Sequence, residues 1–349
     1  MITRSFNGNQ FAITDWTEEL LVIPNQWGTI GSLGLFQEES VAEHTVTFEE
    51  TTKDGALLVD RVRGERGTVG KDYGSKLHTF AVPHFPHEDA IYPKDVQGKR
   101  AYGTPDSADT LALVRTRKME RIAQNFAWTL EYARAQAITL GTVYAPSGTV
   151  VQNWNTEFGV TRKTVDFVFG TGTTEIGAKI EEALAHIQDN TGTGGVLTGI
   201  ICLCSPEWFA KLISHATVKA AYQYYASTQE PLRNRLAAGN SPTAVRREFF
   251  YMGVQFIEMR DTFGGTIGAG TGSRLLPAGK AYFVPQGTDC FKTYYSPAER
   301  FEFVNTLGER MYMFENMAQD GTKYEIHAES NFVNCVMRPN TIVEAFTSN

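Results

Sequence analysis

Residues 103–141 read GTPDSADTLALVRTRKMERIAQNFAWTLEYARAQAITLG, and this stretch governs how the rest of the chain can be arranged. Leu111, Val114, Met119, Ile122, Phe126, Leu130, Ala137 and Leu140 recur mostly three or four positions apart, which lays an apolar stripe along a helix. Asp106 or Ser107 can cap its start, and no proline or glycine intervenes before Gly141. At 1.5 Å per residue a helix from Ser107 to Leu140 reaches roughly 50 Å, far beyond the usual three or four turns. A helix of that length implies an elongated subunit.

Toward the N-terminus, residues 43–101 alternate apolar and polar positions in short runs at Thr45–Phe48, Leu57–Val62 and Leu77–Val82, the pattern of an extended hairpin. Its tip, RVRGERGTVGKDYGSK at 61–76, sets Arg61, Arg63, Arg66, Lys71 and Lys76 against Asp60, Glu65 and Asp72, with little apolar surface to fold on. Earlier still, Phe11, Leu20, Leu21, Val22, Ile23, Leu33, Leu35 and Phe36 are broken up by Pro24, Gly28, Gly31 and Gly34. That stretch reads as an arm packing on something else.

Beyond Gly141 the chain turns α/β-like. A strand is expected at Thr164–Phe169, a helix at Glu175–Gln188, a linker at Asn190–Gly195 and an apolar strand at Val196–Cys204. Ser205-Pro206-Glu207 then supplies an N-cap, a proline at the first helical position and an acidic first turn for a helix carrying Trp208, Phe209, Leu212 and Ile213. A strand at Phe249–Arg260 and a glycine-rich loop at Gly264–Ser273 follow. β-like runs come last, at Ala281–Pro285, Phe291–Tyr295, Arg300–Val304, Met311–Phe314 and Tyr324–Phe346.

With 349 residues, 42% hydrophobic and 20% charged, the chain can bury a real core and is not a disordered protein. Its formal charge of -7 opposes tight binding to nucleic acid. Cys202, Cys204, Cys290 and Cys335 are too few and too scattered for a disulfide framework, which fits a reducing cytoplasm. No run approaches the roughly 20 apolar residues of a membrane span, and MITRSFNGNQ has no signal-peptide features.

Each motif that might carry chemistry fails on spacing. Gly170 to Lys179 follows a strand and opens a helix, yet Ala178 separates Gly177 from Lys179 and Ile180 follows, so a phosphate loop is not formed. His78, His84, His87, Glu88 and Asp89 are metal-ligand types, but Pro83 and Pro86 forbid the helix that would align two histidines. Cys202 and Cys204 sit two apart on an apolar strand, where packing explains them. No G-x-S-x-G is present, and Glu49-Glu50 and Glu181-Glu182 are consecutive rather than convergent. Tyr222, Tyr224 and Tyr225 read as an interface patch.

A glycine-broken arm, a charged hairpin and an overlong helix before an α/β unit, with LLVDRVRGERG (57–67), HTFAVPHFPHEDAI (78–91), GIICLCSPEWFAKL (199–212), FFYMGVQFIEM (249–259) and GKAYFVPQG (279–287) in that order, resemble the major capsid protein E family of lambda-like tailed phages. The resemblance implies an α+β subunit of the Hong Kong 97 capsid fold, without catalytic site, metal or cofactor. Its parts would be an arm at 1–43, an extended loop at 44–104, and a spine helix and peripheral domain at 105–150 completed by 291–339. An axial domain at 151–290 would follow, with 340–349 able to return to it. Arg61, Arg63, Glu65, Arg66, Lys71, Asp72, Tyr73 and Lys76 would meet neighbouring subunits. The partners implied are copies of the chain in hexamers and pentamers of an icosahedral virion shell, a separate scaffolding protein, a portal and a cementing protein. The packaged double-stranded DNA would be held without sequence preference. Some capsids of this fold crosslink a loop lysine to an asparagine, for which Lys71, Lys76 and Asn340 are available, although the lambda-like branch relies on cementing proteins. An encapsulin-like or minor shell protein, or a phosphate-binding α/β enzyme, are the alternatives.

Overall fold

In the computed structural model, which describes residues 14–15, 28–52, 74–96, 111–191, 196–223, 247–260, 274–287 and 289–349, the long helix runs from Leu111 to Thr139. Its stripe is buried as the spacing requires, through Val114, Met119, Ile122, Phe126 and Leu130. Over the last turns Ala133, Ala135, Ala137 and Ile138 are buried as well, because alanines let other elements approach from several sides.

Fourteen strands are described: β1 (Thr14–Asp15), β2 (Gln37–Ser40), β3 (Thr45–Thr52), β4 (Gly74–Ala81), β5 (His84–Ile91), β6 (Lys163–Asp166) and β7 (Gly199–Cys204) come first. They are followed by β8 (Glu248–Tyr251), β9 (Val254–Glu258), β10 (Lys280–Gln286), β11 (Phe291–Tyr295), β12 (Tyr312–Met317), β13 (Tyr324–Val336) and β14 (Val343–Phe346). One sheet has the order β1-β12-β13-β11-β2, with β5 also on β13; the second is β6-β14-β10-β7-β9-β8; among the described residues β3 and β4 pair with each other alone. The long β13 organises the first sheet: its Tyr324–Asn331 half pairs with β5, and Phe332–Val336 pairs with β11. The long helix lies against β13 and β5.

The second sheet is buried on both faces, which is why GIICLC reads as one apolar run. Side chains alternate across a strand. Ile201 and Leu203 therefore enter the core shared with the first sheet, while Ile200, Cys202 and Cys204 face the helices Ile176–Thr191 and Pro206–Ser214. Tyr282 and Val284 split from Ala281 and Phe283 in the same way. The Ser205 cap forms as the sequence indicates, its hydroxyl accepting from the Trp208 amide, with Pro206 at the first helical position.

Four local readings need correction. The expected strand Phe249–Arg260 is a hairpin, because Met252 and Gly253 both take positive φ and close a two-residue turn of the type that twists with the strands. Methionine gives no warning of that turn. Thr164–Phe169 ends as a strand at Asp166, whose Oδ1 accepts the Val168 amide while Val168 itself turns at φ 43°. Arg300–Val304 holds a 3-10 turn at Phe301–Phe303, tucking Phe303 against Tyr312 instead of pairing with a strand. Tyr324–Phe346 is divided by a turn at Pro339–Thr341, and β14 then crosses to the second sheet between β6 and β10. Leu57–Val62 and Gly264–Ser273 lie outside the described residues.

Phe126→Asp places an unpaired charge in the stripe and is expected to cost at least about 3 kcal/mol, whereas Leu113→Asp on the half-exposed side should cost under about 1 kcal/mol. Urea unfolding followed by circular dichroism checks the contrast.

Candidate assembly surfaces

The β3–β4 ladder runs from Thr45 opposite Ala81 to Thr52 opposite Gly74. Its pleat sends Val46, Phe48, His78 and Phe80 to one face, which docks on the subunit's own body. Phe80 meets Trp154 edge-on with ring centroids 4.6 Å apart, His78 lies 4.8 Å from Phe158, and Phe48 lies 5.4 Å from Tyr294. His78 Nε2 and Glu50 Oε2 are 2.9 Å apart, and Lys76 Nζ donates to the Glu157 carbonyl at 3.1 Å. The receiving turn exists because Asn153 caps it, its Oδ1 accepting from the Asn155 and Thr156 amides and so presenting Trp154. The other face carries Thr47, Glu49, Thr79 and Leu77, the last 68% exposed.

The hairpin root therefore buries its apolar face within its own subunit, with Val46 at 5% and Phe80 at 1% exposure, and does not wait for a neighbour. Of the residues expected at intersubunit contacts, Lys76 is engaged with its own chain. Arg61, Arg63, Glu65, Arg66, Lys71, Asp72 and Tyr73 lie outside the described residues.

The end of the predicted arm is likewise integral. Ile30, Leu35 and Phe36 are buried in the central core, and β2 runs parallel to β11. The Ile30 and Gly31 amides donate to the buried Glu131 carboxylate of the long helix at 2.6 and 3.0 Å. Gly28 is required there: φ is 117°, and a Cβ would stand 2.5 Å from Glu131 Oε2. One turn on, Arg134 donates to Glu38 at 2.7 Å and Thr293 at 3.2 Å and lies over the Phe36 ring. At the helix end Arg162 donates to the Thr139 carbonyl, and to Ile138 at 2.9 Å, satisfying carbonyls that the helix leaves open. Arg162 also lies 3.9 Å from Glu344 of β14, tying the helix to the second sheet.

Glu131, Arg134, Trp154 and Arg162 escaped the sequence reading. A signal existed for two of them: Glu131 and Arg134 share a helix row with Ala127 and Ile138, and a carboxylate three residues before a guanidinium amid alanines marks a buried, paired position.

The chemistry-bearing motifs are occupied from within the chain. Gly170 N–H donates to Asn349 Oδ1 at 3.0 Å and Phe169 N–H to the Thr347 hydroxyl at 3.2 Å, so C-terminal residues fill the glycine turn. Lys179 stands 3.8 Å from Glu182, whose carboxyl is held below the usual range chiefly by its hydrogen bond from Lys163. His84 Nδ1 lies 2.7 Å from Asn331 Oδ1, and His87 meets Phe126 edge-on. Among the described residues no three His, Cys, Asp or Glu side chains converge as a metal site would require. Burial pushes the Cys202 thiol up, away from thiolate chemistry. Asn340, a conceivable crosslink partner, already donates its amide to Asn190. Tyr224 and Tyr225 lie outside the described residues.

A subunit built from two sheets, a long helix and a hairpin docked at its root, with the motifs above satisfied internally, has the build of a structural building block. Solved structures agree on the fold. A prophage protein of E. coli CFT073 assigned to its capsid covers 97% of this chain and 100% of its own with a TM-score of 0.58 at 12% identity. The capsid of Cyanophage P-SCSP1u covers 90% and 87% with a TM-score of 0.50 at 11% identity. The chain belongs to the phage major capsid protein E family, whose sequence profile matches residues 14–347. The major capsid protein of Pseudomonas phage KPP10 is 46% identical over 342 residues, covering 96% of this chain and 97% of that protein. That of Salmonella phage Felix O1 is 28% identical over 371 residues, covering 99% and 98%. The chain is thus a structural component of a phage capsid, resident in the virion.

Glu131→Ala would strand two buried backbone donors and should lower stability by about 2–4 kcal/mol, with Glu131→Gln losing less because its amide oxygen still accepts. Equilibrium denaturation of both variants measures the difference.

Proposed function

We infer that this chain is the self-assembling wall of an icosahedral head, forming hexamers and pentamers around packaged double-stranded DNA and performing no catalysis. In this reading residues 1–43 are the arm, 44–104 the extended loop, and the long helix with 105–150 and 291–339 the peripheral domain. Residues 151–290 with β14 form the axial domain. The observation that carries the reading is the hairpin. Its root is clamped by Trp154 and Phe158, while Gly74 to Leu77 at the far end are exposed, and residues 53–73 link its two strands in the sequence. An isolated two-stranded ladder is marginal in water and gains partners along its open edges or flat face. A neighbouring subunit supplies such a surface, and the mixed charges of Arg61, Arg63, Glu65, Arg66, Lys71 and Asp72 would fix the register of that contact. Scaffolding, portal and cementing proteins are further partners in this reading, although the wall itself needs only copies of the chain, and Tyr73 belongs to the contacting tip.

The test removes the tip and keeps the clamp. Deleting Gly64 to Gly70 leaves the β3–β4 root intact and should give a folded, soluble subunit that forms no closed shells by negative-stain microscopy. Normal shells from this variant would contradict the role of the loop.

A further inference from the structure

The loop between β11 and β12 is rigidly built yet presents its apolar side chains to water. Phe301 is fully exposed, and Val304 and Leu307 are 60% and 67% exposed. Disorder does not explain them. Phe303 of the same turn is wedged against Tyr312 and Phe314, and Arg300 lies 3.7 Å from the Phe314 ring centroid. The Tyr312 hydroxyl accepts the Glu309 amide at 2.7 Å and donates to the Leu307 carbonyl, while Gly308 N–H donates to Val41 O at 3.0 Å. A fixed backbone thus holds three apolar groups outward, with Glu302 exposed beside them and joined to no cation among the described residues.

The opposite end of the same sheet carries a complementary feature. An apolar cavity of about 340 Å³ opens among Ile91, Tyr92, Pro93, Val96, Leu111 and Tyr324. It can take a phenyl ring, since a cavity of about 150 Å³ holds benzene. Beside it Lys94 lies exposed over the Tyr92 ring, 5.2 Å from the centroid, without a carboxylate partner among the described residues. Tyr312, next to the knob, pairs with Glu329, and Tyr324 lines the hole, so about five residues of β13 at roughly 3.3 Å each separate the two features, on the order of 16 Å. A knob and a hole at opposite ends of one rigid sheet cannot meet within a chain.

We propose that the Phe301–Leu307 knob of one copy seats in the Tyr92–Leu111 hole of the next, with Glu302 facing Lys94. The occupant is a second copy of this chain because both the shape and the charge of the knob match a feature the chain itself carries. A head-to-tail contact of this kind uses two different patches, so it continues from copy to copy until the geometry closes a ring or a shell. Apolar packing holds the contact, and the ion pair selects it over other arrangements. The proposal rests on the shell-building reading and names one of its contacts.

Charge exchange tests it on the full-length chain. Glu302→Lys and Lys94→Glu alter exposed residues, so melting temperatures should not move. Each alone should lower the assembled fraction, read by analytical sedimentation, by about tenfold, and the double exchange should recover most of that loss. Variants that assemble as the unaltered chain does, or losses that simply multiply in the double variant, would overturn the contact while leaving the shell reading intact. An unaltered chain that stays monomeric would instead overturn the shell reading and this contact with it.

Discussion

A carboxylate inside a protein core must be hydrogen-bonded or it destabilises the fold by several kcal/mol, and Glu131 is satisfied by the backbone amides of Ile30 and Gly31. That requirement fixes the end of the arm on the long helix. Arg134, one turn later, then fixes β2 and β11 through Glu38 and Thr293. Arg162 closes the C-terminal end of the helix and joins it to β14. Three polar contacts along one helix thus set the relation between the arm and the two sheets, and the apolar stripe from Val114 to Leu130 does the rest of the holding.

The subunit body is consequently more self-sufficient than its glycine-broken N-terminal text implies. Leu35 and Phe36 find their burial at home, and so does the hairpin root under Trp154. What is left for neighbouring copies is narrower and better defined. Among the described residues, the surfaces we propose for that role are the outer face of the hairpin, where Leu77 is exposed, and the apolar loop at Phe301 with the cavity beside Tyr92. Separating a stable body from a few unsatisfied surfaces lets a monomer stay folded before assembly.

Elements set by strong local periodicity were legible in the sequence. The long helix, the Ser205-capped helix and the apolar strand Gly199–Cys204 follow from spacing and capping alone. The capsid family was legible too, from the order of its segments. Readings failed where tertiary contacts overrode local pattern. Met252 enters a turn that asparagine or glycine would have announced, Phe301–Phe303 alternates without a partner strand, and Asn153–Glu157 gains its importance only from the hairpin that lands on it. The predicted contact residues rested on charge pattern, which does not distinguish Lys76, held by Glu157, from a lysine awaiting a neighbour.

The most direct measurement is electron microscopy of the purified full-length chain. The account predicts closed, thin-walled icosahedral shells whose wall is made of this chain alone. A preparation that is folded by circular dichroism and remains monodisperse monomer across assembly conditions would contradict it.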